Sequence, residues 1–111
     1  MEALIRQIKK FASERDWDPY HAPKNLAMAL SVEVAELVEI FQWLSEDESY
    51  QLNRETRDHL QEEIGDILIY LAALAAKFDI NPIEAARSKL RLNEQKYPVE
   101  SIKGSRRKHH R

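Results

Sequence analysis

An all-α fold, arranged as an antiparallel four-helix bundle, is predicted by three features of this chain. Apolar residues recur every three or four positions through four separate segments, the period of helices that each bury one face. No stretch alternates apolar and polar residues as a half-buried strand would, and the 111 residues include only two glycines, Gly65 and Gly104. The connections between segments are short, which lays consecutive helices side by side and antiparallel.

In the first segment Leu4, Ile5, Ile8, Phe11 and Ala12 form an amphipathic pattern that should stop near Asp16, because Pro19 and Pro23 follow. The intervening DWDPYHAPKN reads as a loop rich in aromatic, His and Asn side chains. The second helix runs from about Lys24 to Trp43 or Leu44 on a stripe of Leu26, Leu30, Leu37, Ile40 and Leu44. The polar SEDESYQLNRE connects it to a third helix from about Thr56 to Phe78, with Leu60, Ile64, Ile67, Leu71 and Leu74 as its stripe. Asn81 is a good cap and Pro82 suits a first helical position, so a fourth helix starts there and ends before Pro98.

This length suits one domain, expected over residues 1–102, with one small core. Wide apolar helices on so short a chain call for a second copy to cover them, so a homo-oligomer is expected. The absence of cysteine removes disulfides, thiolate metal sites and cysteine nucleophiles together. The longest apolar run, Ile67 to Ala76, is cut off by Lys77 and Asp79, so no bilayer crossing is expected; with an N-terminus that reads as mature protein, the expected address is cytoplasmic. Five of the 17 basic residues and none of the 19 acids fall in residues 103–111, leaving 12 bases against 19 acids in the body. An acidic body is a poor surface for nucleic acid, and the basic tail reads as a frayed, solubilising end.

Two pairs of acids carry the functional information. Glu33 with Glu36, and Glu63 with Asp66, are each three residues apart inside helical segments, so each pair projects from one side of its helix. At about 100° per residue, Glu33 falls in the middle of its stripe and Glu36 on its edge, while Glu63 and Asp66 border theirs. Ionised carboxylates at an apolar interface are costly unless a charge offsets them, so four facing one core imply a shared cation. Glu39 and Glu62 rotate toward solvent and read as plain surface acids. Oxygen-only ligands favour Mg2+, with Mn2+ as a substitute, and no Glu-x-x-His accompanies them as a di-iron bundle requires. Such a site suits hydrolysis of a phosphoanhydride, with Glu36, at the rim of the stripe, accepting the proton of the attacking water.

With Glu33-Val-Ala-Glu36 followed by Glu63-Ile-Gly-Asp66, the chain resembles the MazG-like nucleoside triphosphate pyrophosphohydrolases, all-helical Mg2+ enzymes marked by E-x-x-E and E-x-x-D. Trp17, the stretch His21-Ala-Pro-Lys-Asn-Leu26, Phe41-Gln-Trp43 and Lys96-Tyr-Pro98 look like the dCTP pyrophosphatase branch, over residues 5–99 or so. The resemblance implies conversion of a nucleoside triphosphate to its monophosphate and pyrophosphate, with water attacking the α-phosphorus. It makes Glu33, Glu36, Glu63 and Asp66 metal ligands and places Trp17, His21, Trp43 and Tyr70 around the nucleotide. Many members of the wider family carry a further acid where this chain has Val32, an acid the dCTP branch also looks to lack.

The residues themselves agree in part. Trp43 and Asn25 share the angular line of Glu36, and Tyr70 lies near that of Glu63 and Asp66, so aromatic faces stand beside a phosphate-handling site as a stacked base needs. Lys24, Asn93 and Lys96 are candidates for touching phosphate oxygens. The bland readings are core packing for the aromatics, a loop brace for His21 and ordinary surface lysines. The leading expectation is a hydrolase of dCTP or a modified pyrimidine deoxynucleotide. The alternatives are a house-cleaning enzyme for another non-canonical triphosphate, and a helical binding module without turnover.

Overall fold

The computed structural model describes residues 1–99, and those residues form helices and turns without a strand. The predicted basic tail, 103–111, and the predicted domain end at 102 lie outside the described residues. Helix α1 spans Glu2–Glu14, α2 Pro23–Phe41, α3 Arg54–Ala76 and α4 Pro82–Lys96, with single 3-10 turns at Asp18–Tyr20 and Glu48–Tyr50. None of these helices is long and apolar enough to cross a membrane.

Local chemistry sets the ends. The Asn53 side chain accepts from the Thr56 backbone N–H at 2.8 Å to start α3, and the Asn81 side chain accepts from Ile83 and Glu84 at 2.9 and 3.3 Å to start α4. The α2–α3 connection is closed on itself: the Ser45 N–H donates to the Glu48 carboxylate at 2.8 Å and the Glu48 N–H to Ser45 Oγ at 3.1 Å. Helices α1 and α3 both stop through an aspartate in the left-handed region, Asp16 at φ 54° and Asp79 at φ 53°. In each case the next N–H bonds back five residues, Trp17 to Ala12 and Ile80 to Ala75, both at 3.0 Å. A side chain there strains the backbone, so Asp79→Gly should raise stability by roughly 0.5–1 kcal/mol, read as a higher melting temperature.

Helix α3 is the centre. Helix α2 packs along it as an antiparallel hairpin partner, α1 covers part of it, and α4 touches it least. The molecule is correspondingly open, with a radius of gyration of 17.5 Å against about 13 Å for a compact chain of this length. Of the described apolar side chains only Ala12, Leu26 and Ala72 are fully buried.

The stripe read from α3 needs one correction. Ile64 and Leu71 are 52% and 40% exposed, whereas Glu63 is 6% exposed. The face that α3 turns to α2 is rotated toward the acids, which leaves part of the apolar stripe uncovered within one chain. On α2 the expected stripe does face inward, while Val32, Val34 and Val38 stand exposed.

Candidate metal and nucleotide site

Glu33 lies eight residues before the end of α2 and Glu63 nine after the start of α3, so the antiparallel hairpin brings them level. One carboxylate oxygen each from Glu33, Glu36 and Glu63 lies within 4.8 Å of the others. Oε2 of Glu33 and Oε2 of Glu63 are both shut off from solvent without a hydrogen-bond partner. No lysine or arginine among the described residues pairs with any acid of the quartet. Two orphaned anionic oxygens in an all-oxygen donor set fit a hard divalent ion.

The cluster shows its strain through Glu33, whose carboxyl is pushed up to about 7. The largest cause is the Glu63 carboxyl facing it, followed by burial and then by Glu36. Like charges this close cannot all ionise unless a cation joins them, so one carboxyl keeps its proton near neutrality.

Asp66, the expected fourth ligand, is not part of that three-carboxylate group. It is exposed, almost one turn beyond Glu63, and borders a cavity of about 220 Å3. Trp17, His21 and Tyr70 line this cavity too, so the structure brings together four of the predicted residues around one hollow. The Trp17 ring meets Phe11 edge-on at 5.5 Å and His21 at 6.4 Å, an aromatic wall held by the loop after α1. Asn25 serves that loop, its side-chain nitrogen donating to the Tyr20 carbonyl at 3.3 Å.

Other predicted contacts stand apart within one chain. Trp43 lies past the end of α2 and is 87% exposed, and Lys24 is exposed in the first turn of that helix. Asn93 and Lys96 are carried near the end of α4, which touches α3 only slightly. None of these four lines the cavity beside Asp66.

Two neighbours of the site escaped sequence reasoning. Phe11 belongs to the apolar pattern of α1, yet it is 48% exposed and lines the aromatic hollow; its place one turn before the Trp17 loop is the available signal. His59 Nε2 stands 3.5 Å from Glu63 Oε1, and its position four residues before an acid of the motif could have revealed it. An imidazole on one oxygen of Glu63 leaves the other oxygen aimed at the cluster. His59→Ala should therefore weaken Mn2+ binding by roughly tenfold in calorimetric titration while leaving the fold intact.

A model of the MazG-like family matches residues 28–110. The dCTP pyrophosphatase 1 of Mus musculus is 45% identical over 107 residues, covering 95% of this chain and 63% of that protein. Its counterpart from Homo sapiens is 41% identical over 111 residues, covering 98% of this chain and 65% of that protein. The chain thus spans less than two thirds of the length of these relatives. A crystal structure of a pyrophosphatase from Archaeoglobus fulgidus superposes with a TM-score of 0.83 at 48% identity, covering 88% of this chain and 92% of that one.

Proposed function

The chain belongs to the MazG-like family, and on that premise we propose that it is a Mg2+-dependent nucleoside triphosphate pyrophosphohydrolase acting on dCTP or a modified pyrimidine deoxynucleotide. The observation that carries the proposal is the convergence of Glu33, Glu36 and Glu63 with two buried oxygens lacking any partner. Nothing in a merely structural role accounts for such a cluster, because each uncompensated buried carboxylate oxygen costs stability.

Glu33, Glu36 and Glu63 would hold Mg2+, with Mn2+ as a substitute, and Asp66 would join them from the edge of the hollow. When bound, the ion supplies positive charge against the oxygens of the triphosphate. Glu36 accepts the proton of the water that attacks the α-phosphorus, and pyrophosphate leaves. Trp17, Tyr70 and His21, with Phe11 behind them, take the base and hold the α-phosphate at the acids. Lys24, Asn25, Trp43, Asn93 and Lys96 stay in this reading as nucleotide contacts completed in an assembly. That assembly is a homo-oligomer, supported by Val32, Val38, Leu68 and Leu71, which stand exposed on the two central helices.

Incubation of the purified chain with each triphosphate and Mg2+ tests the reading. The expected products are a nucleoside monophosphate and pyrophosphate, with the highest kcat/KM for a pyrimidine deoxynucleotide. Release of orthophosphate would refute the bond assigned. A chain whose melting temperature ignores both Mg2+ and nucleotide is a binding module of another kind.

A further inference from the structure

The hollow beside Asp66 continues past the place assigned to the base. Ile8, Ala12, His21 and Ala73 line both it and a neighbouring cavity of about 310 Å3. Along α3 the two follow in order: Asp66 and Tyr70 border the first, Ala73 borders both, and Ala76 and Lys77 border the second. At about 1.5 Å per residue, the rise from Asp66 to Lys77 is roughly 16 Å, long enough for a nucleoside with a further group attached.

The second chamber has a different chemistry from the first. Ala12 and Ala73 carry only methyl groups where the two cavities adjoin, which leaves room between Ile8 and His21. Lys9 and Lys77 stand on its lining against a single acid, Asp18. Neither ammonium is in an ion pair with a described residue. An unsubstituted cytosine is neutral and carries no negative charge to set against two cations.

The geometry points to a subsite for an acidic substituent on the base, received by Lys9 and Lys77 in the chamber beyond Ile8 and Ala73. The inference rests on the base-pocket reading above and deepens it by naming a substrate class, deoxycytidine triphosphates whose base carries a carboxylate. Asp18 opposes the two lysines and narrows the preference to a group seated close to them. The chamber is open enough to take a short arm without displacing the aromatic wall.

The experiment compares kcat/KM for 5-carboxy-dCTP and N4-carboxymethyl-dCTP with their neutral carboxamides and with dCTP, all in Mg2+. At one of the two positions the acid should be preferred over its amide by about fivefold, the scale of two solvent-screened charge contacts. Lys77→Glu should bring that ratio below one, and Lys9→Glu should lower it. Each ratio is taken within one variant, so a general loss of activity cancels. Equal rates for acid and amide at both positions, or a ratio indifferent to both substitutions, overturns the subsite and leaves the base pocket standing if dCTP is still cleaved. Failure to cleave dCTP or any analogue overturns both.

Discussion

Glu63→Gln should cost about a thousandfold in kcat/KM, the equivalent of roughly 4 kcal/mol of lost charge stabilisation, and should abolish the rise in melting temperature that Mg2+ gives the unchanged protein. The side chain is 6% exposed, and Oε2 has no partner. Glutamine keeps its volume and hydrogen-bonding length, so packing between α2 and α3 is preserved while one negative charge is removed. In the metal-free state the same substitution should raise the melting temperature, because it relieves repulsion within the cluster. Opposite signs with and without metal separate a ligand from a residue that merely packs. A variant retaining both full activity and the Mg2+ response would remove Glu63 from the site.

The second large effect is on pH. Glu33 has its folded pKa raised from 4.5 to about 7, chiefly by the facing Glu63 carboxyl. An acid whose pKa rises on folding contributes stability that is fully present below the unfolded value and is lost as pH climbs through the folded one. The metal-free protein should therefore lose stability from this group between about pH 4.5 and 7. Protons and metal compete for the same oxygens, so metal affinity should fall by up to about tenfold per unit as pH drops below 7, and level off above it. Calorimetric titration of Mn2+ at several pH values checks this. In Glu33→Gln that dependence should disappear, and its survival would assign the proton to another group.

Much of this could be read from the chain. Helical spacing placed four helices within a few residues of their observed ends, and Asn81 with Pro82 located the start of α4. Spacing of three residues told that each acid pair shares a side, and the apolar stripe on α2 told that Glu33 points inward. The rotation of α3 could not be read with the same certainty. Its apolar residues outnumber what one partner helix can cover, so hydrophobicity alone chose Ile64 and Leu71 as core, where the fold buries Glu63 and leaves both half exposed. His59 and Phe11 were overlooked for a related reason: each gains its meaning from a neighbour across a turn of helix or beyond a loop.

By itself the sequence determined the helices, their order, the sides on which the carboxylates lie and the absence of any thiol chemistry, because these depend on local spacing and composition. Only the tertiary structure decided which three acids meet within 4.8 Å, that Asp66 turns instead toward an aromatic hollow, and that this hollow opens toward two lysines. The physical reason is that helical period sets direction around one axis, whereas convergence of side chains depends on the rotation and offset of two packed helices, which the burial of the whole chain selects.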